Sequence, residues 1–343
     1  MAKKQPQGIK LLGTLLKSKA VVPVAIVAAL LAVLLTLSHL SVLPFAFPTW
    51  NDAYELVTGE PLENTPAAAP ADIPPTAQQQ NPPPEILNGA QMSVYVIDVG
   101  QGSSTLLTTG KHSILIDAGE NGKGQAVLDV LEALDIDRLD YMIGTHPHSD
   151  HIGGMDEVLD VIAVDTVIMP KLSEKIMPTT KTYESVLSVL ASKNIKTIAA
   201  TPVKSYAVGA MKLDILGPAA EYDDLNNISV ISKITFGNVC VLISGDAEKR
   251  AEKGVLDAGY NLASNLYIVG HHGSTTSSGK AFLDAIAPNY AAISCGLDND
   301  YGHPHTEVLQ ALEDRSITVH RTDLNGTIVY TTDGANISIK TDR

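Results

Sequence analysis

From Met92 onward the chain alternates two kinds of hydrophobic pattern. Alternation at every second position marks a strand, whose side chains point to opposite faces in turn, whereas recurrence at every third or fourth position marks one side of a helix. Val94 and Val96 against Tyr95 and Ile97 predict a strand buried on both faces, followed by strands at Thr105 to Thr108 and Ser113 to Asp117. Val127, Val130, Leu131 and Leu134 form an apolar stripe on a helix, and Tyr141 to Thr145 reads as the next strand. Tyr183, Val186, Leu187 and Leu190 mark a second helix, and strands follow at Met211 to Leu216, Ser229 to Phe236 and Asn238 to Ser244. A helix around Ala251 to Leu256, a strand from Leu266, a helix carrying Phe282, Leu283 and Ile286, and a strand at Tyr290 to Ser294 come next. A helix with Val308, Leu309 and Leu312 and strands running through Ile339 close the pattern. Strand runs in both halves, interleaved with helices, predict α/β architecture: two sheets face to face with helices outside, a four-layer αββα sandwich over residues 92–343.

The first ninety residues follow a different rule. Ala20 to Leu37 carries no charge and is almost wholly apolar. At 1.5 Å per residue it rises about 27 Å, enough to cross a hydrocarbon core, so residues 20–43 are expected to be a transmembrane anchor in the lipid bilayer. Residues 1–19 hold Lys3, Lys4, Lys10, Lys17 and Lys19 and no acidic residue, which places them in the cytoplasm and the rest of the chain outside. The competing expectation is a signal peptide and secretion after cleavage; no small-x-small cleavage site follows the apolar run, which favours the uncleaved anchor. Residues 44–91 are rich in Pro and Ala, a composition that cannot bury a core. As extended polyproline, such a tether holds a domain up to roughly 90 Å from a bilayer.

Charge constrains the partners. The chain's formal charge is −14, and removing the five positive lysines before the apolar run leaves −19 on the expected exported part. Long phosphate polymers are repelled by such a surface, which argues against a processive DNA binder, although bound divalent ions would invert the field locally. Lys171, Lys175 and Lys181 offer a small basic rim near the first metal-ligand loop. Cys240 and Cys295 sit in apolar strand-like runs, where a buried thiol is the expectation and no metal spacing or disulfide framework is formed.

Chemistry concentrates in Thr145-His146-Pro147-His148-Ser149-Asp150-His151-Ile152-Gly153-Gly154, the pattern H-x-H-x-D-H. Three imidazoles and a carboxylate suit zinc or a neighbouring divalent ion. A single tetrahedral ion would not take all four from so short a turn. Residues two apart in an extended segment point the same way, so His146 and His148 are expected at one ion and Asp150 and His151 at a second.

This run resembles the signature of the metallo-β-lactamase fold. With Asp98-Val99-Gly100-Gln101-Gly102, Asp117-Ala118-Gly119, Asn226-Asn227-Ile228-Ser229, Gly245-Asp246, His271-His272-Gly273-Ser274 and Tyr301-Gly302-His303-Pro304-His305, it is similar to the hydrolase domain attached to DNA-uptake channels of the ComEC competence type. The resemblance implies two divalent cofactor ions, Zn²⁺ or Mn²⁺, with Asp246 bridging them and His271 completing the second; His272 is the alternative, since adjacent residues on a strand point oppositely. Asp150 is expected both to ligate and to act on the water that attacks the substrate. Asp117 and Asn227 are expected to support the ligands, and His272, Ser274, His303 and His305 to contact substrate.

One departure changes the expectation. No histidine lies between His151 and His271, so the first ion lacks the third imidazole that most of this fold supplies. A weaker first site and competition from Mn²⁺ follow, because an amide oxygen or water is a harder donor than imidazole. The leading functional expectation is a membrane-anchored extracellular hydrolase of phosphodiesters, DNA among them. The alternatives are a hydrolase of a lactam, lactone or thioester, and a noncatalytic surface binding module.

Overall fold

A computed structural model describes residues 89–343. The expected cytoplasmic segment and membrane anchor, and the tether through residue 88, lie outside the described residues. Among the described residues no helix is long and apolar enough to cross a membrane.

Six strands come first: β1 (Met92–Val96), β2 (Thr105–Thr108), β3 (Ser113–Ile116), β4 (Arg138–Ile143), β5 (Ala163–Met169) and β6 (Thr197–Ala199). Then follow β7 (Ser205–Val208), β8 (Met211–Ile215), β9 (Ser232–Phe236), β10 (Val239–Ile243), β11 (Leu266–Ile268), β12 (Tyr290–Ile293) and β13 (Thr318–Arg321), and β14 (Ile328–Thr332) with β15 (Ile337–Thr341) closes the chain. One sheet runs β15-β14-β1-β2-β3-β4-β5-β6 and the other β13-β12-β11-β10-β9-β8-β7. In the first, β3 to β6 are parallel; in the second, β10 to β13 are parallel. Parallel neighbours end at the same edge, so the chain segments leaving β3, β4, β10, β11 and β12 are gathered at the sheet rims.

Three apolar clusters make four layers. Between the sheets, Val94, Leu107, Ile114 and Ile143 meet Leu213, Ile234, Phe236 and Val241. On the outer face of the first sheet, Leu115, Met142 and Val167 pack against helices α1 (Gly124–Ala133), α3 (Met155–Val161) and α4 (Lys181–Ser192), through Val127, Leu131, Val158, Val186 and Leu190. Between α1 and α3 lies the single turn α2 (Ser149–Ile152). On the outer face of the second sheet, Leu242, Tyr267 and Ala291 pack against α5 (Lys249–Asp257), α6 (Lys280–Ile286) and α7 (Thr306–Glu313), through Ala251, Val255, Phe282, Ile286 and Leu312. A last turn, α8 (Thr322–Asn325), follows β13. In β3, Ile114 and Ile116 face the inter-sheet core while Leu115 faces the helices, which is why the strand reads as a continuous apolar run. Each such side chain, fully buried, contributes about 1.5–3 kcal/mol through removal of apolar surface from water.

The expected αββα sandwich is present. Two local differences have physical causes. The strand expected from Ser229 starts at Ser232, because Ser229 N donates to Asn226 O at 3.0 Å and Val230 N donates to Thr145 O at 2.9 Å, making a turn docked onto the histidine loop. Strands β5 to β7 and helix α3 carried no separate expectation: Met155–Val161 and Ala163–Met169 adjoin with no glycine or proline between them while Asp156, Glu157, Asp160 and Asp165 interrupt either period, and Thr197–Ala199 and Ser205–Val208 are too short to show one.

Candidate metal centre

Asp117, the residue after β3, has φ of +59°, a left-handed conformation that a short acidic side chain tolerates. This turn directs its carboxylate under the histidine loop. Its Oδ1 accepts from Thr145 N and its Oδ2 from Thr145 Oγ1, both at 2.8 Å, and Oδ2 lies 2.7 Å from His151 Nδ1. Ala118 N donates to His151 O at 2.8 Å. The glycines of the motifs allow backbones to touch: a Cβ on Gly102 would lie 2.6 Å from Asp150 O, where Ser103 N already donates at 2.9 Å, and one on Gly154 would lie 2.3 Å from Ala118 O.

Two donor clusters share Asp246: Asp150, His151, Asp246 and His272 in one, and His146, His148 and Asp246 in the other. Asp246 follows Gly245 at the end of β10, with its N–H on Ser229 Oγ at 3.1 Å. Its Oδ1 is 3.0 Å from His151 Nε2 and 3.8 Å from His272 Nε2; its Oδ2 is 3.7 Å from His146 Nε2 and 3.5 Å from His271 Nε2. The two oxygens of one buried carboxylate therefore face two different groups of imidazoles.

Hydrogen bonding shows that these groups suit a cation. His151 Nδ1 donates to Asp117 and His272 Nδ1 to Ser294 O at 2.8 Å, so in the neutral rings the two Nε2 atoms carry lone pairs, yet they face each other at 3.3 Å. Positive charge is needed between them. Without a metal it is a proton: burial disfavours charge on His151, but Asp246 and Asp117 outweigh it and hold the pKa well above the ordinary value. His272 is raised in the same way, with burial opposed by Asp246 and Asp150. Burial alone would push the Asp246 carboxyl up, but His151 and His272 hold it well below the usual range. His146 is driven well below its ordinary pKa, first by burial and then by His151, and His148 is lowered by burial, so both stay neutral, with His146 Nε2 and His148 Nδ1 3.0 Å apart.

Of the two adjacent histidines, His271 was expected in the second cluster with His272 as the alternative; the structure brings His272 beside Asp150, His151 and Asp246, with Nε2 3.2 Å from Asp150 Oδ2. Alternation does not apply, because both residues sit in a tight turn with left-handed φ of 52° and 53° rather than on a strand. His271 instead turns Nδ1 to Thr276 Oγ1 at 3.0 Å. Asn227, expected to support the ligands, acts at a remove: its Nδ2 donates to Asp224 and Glu248, and its Oδ1 accepts from Ala251 N, fixing the start of α5.

The centre opens into a cleft of about 490 Å³ lined by Gln101, Pro147, Asp150, Asn226, Tyr301 and His303 among others. His303 Nδ1 is buried without a partner, and its ring stacks on Tyr301 at 5.6 Å. Ser274 and His305, expected at substrate, brace the loop instead: Ser274 Oγ bonds Thr276, and His305 Nδ1 accepts from Thr275 N at 3.0 Å. Thr180 and Thr182 line the cleft on either side of Lys181, and Lys181 itself is exposed. Sequence reasoning missed Thr145, Asn226, Tyr301 and the Ser294 carbonyl. The first three lie within or beside recognised motifs; a backbone carbonyl leaves no mark in a sequence.

Residues 97–297 match the sequence profile of the metallo-beta-lactamase superfamily. ComE operon protein 3 of Bacillus subtilis is 32% identical over 261 residues, 69% of this chain and 32% of that protein. Competence protein ComA of Neisseria gonorrhoeae is 28% identical over 251 residues, 72% of this chain and 33% of that protein. The chain spans about a third of the length of these curated relatives. Among solved structures, the metallo-beta-lactamase fold protein YhfI from Bacillus subtilis superimposes with a TM-score of 0.49 at 15% identity, covering 71% of this chain and 100% of that one.

Proposed function

The chain belongs to the metallo-beta-lactamase superfamily, and from that premise we propose that it is a metal-dependent hydrolase of phosphodiesters, a phosphodiesterase or nuclease carried on the outer side of a membrane. The observation that carries this reading is the divided carboxylate of Asp246, each oxygen facing its own group of imidazoles. His146 and His148 with Asp246 would hold one divalent ion, and Asp150, His151 and His272 with Asp246 the other. Bound divalent metal supplies a water of lowered pKa and positive charge against the anion that builds on an attacked phosphate.

The chain's own side chains do the rest. Asp117 and the Ser294 carbonyl fix the tautomers of His151 and His272, leaving each Nε2 as a donor to metal. Asp150, which lines the cleft, is placed to accept a proton or a hydrogen bond from a water there. His303, held between Tyr301 and His272, offers an imidazole edge to a substrate oxygen. Zn²⁺ and Mn²⁺ both suit this mixture of imidazole and carboxylate. The expected −19 charge favours short or single-stranded phosphodiesters over long duplexes. Similarity to competence proteins and the apolar run from Ala20 to Leu37 support attachment to a membrane, with the domain outside.

The test is hydrolysis by the purified chain, stripped of metal and reloaded with Zn²⁺ or Mn²⁺. Substrates are bis-p-nitrophenyl phosphate, single-stranded DNA and a chromogenic β-lactam. Metal-dependent cleavage of the first two is expected. Cleavage of the lactam alone would establish a small-substrate hydrolase instead, and inactivity on all three despite bound metal would favour a binding module.

A further inference from the structure

We propose that His271 supplies the missing third imidazole of the first ion, so that the adjacent pair His271–His272 serves both metals at once. The inference rests on the metal-dependent reading above and concerns which residues form the sites.

The first cluster, His146, His148 and Asp246, is one donor short of a four-coordinate site. The superfamily's usual source of that donor, a histidine between His151 and His271, does not exist in this chain. His271 Nε2 lies 3.5 Å from Asp246 Oδ2, the same oxygen that His146 Nε2 faces at 3.7 Å. His272 Nε2 faces the other oxygen, Oδ1. Neighbouring side chains reach opposite sides of one carboxylate because both residues adopt left-handed backbone, which is strained for a non-glycine residue and is retained where the surroundings impose it. The surroundings are identifiable: His271 N donates to Gly245 O at 3.0 Å, Ser274 N closes the turn on His271 O at 2.8 Å, and Gly273 at φ +83° has no room for a Cβ against Pro304. The turn is thus tied to the residue before Asp246.

Ring orientation agrees. His271 Nδ1 is engaged by Thr276 Oγ1 at 3.0 Å, with Glu248 Oε1 3.9 Å away, and this leaves Nε2 toward Asp246 as the free donor. Outer partners of this kind fix a ligand's tautomer. A second unattached donor lies in the cleft: Asn226 Oδ1 is buried without a partner, its Nδ2 being given to Glu248 at 3.4 Å. Imidazole is the stronger donor for zinc and its neighbours, and His271 is the one whose distance to the shared carboxylate matches that of an accepted member of the cluster. The first site then has three nitrogens and one oxygen, and the second has two nitrogens and two oxygens. Contrary to the sequence expectation, the first site is not the deficient one; it is the softer one, and the harder ion belongs at the second.

The experiment is Co²⁺ titration of the metal-stripped full chain, followed by visible absorption and by metal content after dialysis, for wild type, His271→Ala, His271→Asn, His272→Ala and Asn226→Ala. Asparagine tolerates left-handed backbone and retains the fold should alanine disturb it. The wild type is expected to bind two ions. Each histidine variant should keep one, with different residual spectra, and lose the other by more than the about 10–100-fold that an outer partner costs. Asn226→Ala should keep both. Two ions retained in both His271 variants, identical residual spectra for His271 and His272 variants, or loss of an ion in Asn226→Ala alone would overturn the assignment while leaving the hydrolase reading intact. Absence of any bound ion in the wild type would remove both.

Discussion

Asp117 Oδ2 lies 2.7 Å from His151 Nδ1, and each side chain is only 1% exposed. This pair joins the end of β3 to the histidine loop after β4, and Thr145 Oγ1 extends it, 3.2 Å from His146 Nδ1. One carboxylate thereby orients a ligand of each cluster. Asp117→Asn keeps the shape but presents an N–H₂ where an acceptor is required. Metal affinity and turnover should both fall about 10–100-fold, the usual cost of losing an outer partner, as read by metal titration and by phosphodiester hydrolysis under saturating metal. Unchanged affinity would mean that the pair serves folding alone.

The loop after β3 and the start of α3 touch through backbone, and that contact sets where His151 lies. Gly154 N donates to Gly119 O at 3.1 Å, and a Cβ at Gly154 would stand 2.3 Å from Ala118 O and 2.6 Å from Gly124 N. Neither neighbour is a flexible side chain, so the backbones must part. Gly154→Ala should destabilise by about 1–3 kcal/mol and weaken metal binding together. Gly259→Ala is the contrast: nothing lies within 4 Å of its Cβ, and only the left-handed φ of +71° costs, about 1–2 kcal/mol, with metal binding unaffected. Urea unfolding and metal titration of the two variants separate the effects.

Glu252, on α5 and 2% exposed, fixes the far end of the His271–His272 loop by accepting from Ser278 N and Gly279 N. Burial pushes its pKa up to about 7 from the model-peptide 4.5, although the two backbone donors pull the other way. For an acid raised on folding, the folded state binds more protons than the unfolded between these two values. Stability from this group is therefore full below about pH 4.5 and is lost as pH rises to about 7, by an amount of order 3 kcal/mol. Glu252→Gln cannot titrate. The stability of the metal-free wild type relative to Glu252→Gln should fall between pH 5 and pH 8 in urea unfolding. A difference independent of pH would show that the carboxylate stays charged in the folded protein.

His303 contributes at the cleft rather than at the metals. Its pKa is lowered to about 4 by burial and by the neighbouring His272, His271 and His305, so it is neutral at pH 7 and, on the function proposed above, would meet substrate as a dipole. His303→Ala should raise KM several-fold, leave kcat within about threefold, and leave metal content unchanged, the pattern of lost uniform binding. A fall in kcat with KM unchanged would place this ring in the chemical step instead.

The αββα layering was legible because its source is short-range: Ile114, Leu115 and Ile116 alternate between two cores, and Val127 and Leu131 form one helical stripe. The donor cluster of the H-x-H-x-D-H run was legible for the same reason, since its side chains and their spacing lie within six residues. His271 and His272 were not assignable, because the rule for strands was applied to a turn whose left-handed geometry depends on Gly245, Gly273 and Pro304 elsewhere in space. Ser229 lost its expected place on a strand because the next residue, Val230, gives its N–H to Thr145 O, far away in sequence. Long-range backbone contacts of this kind have no periodic signature.

Asp246 is placed to serve two ions with one carboxylate, and elemental analysis after equilibrium dialysis of the full chain against Zn²⁺ or Mn²⁺ tests this directly. Wild type should retain two ions per chain, and Asp246→Asn should weaken both sites together, because Oδ1 and Oδ2 face different clusters. Retention of both ions at wild-type affinity by Asp246→Asn, or no ion in the wild type, would contradict it.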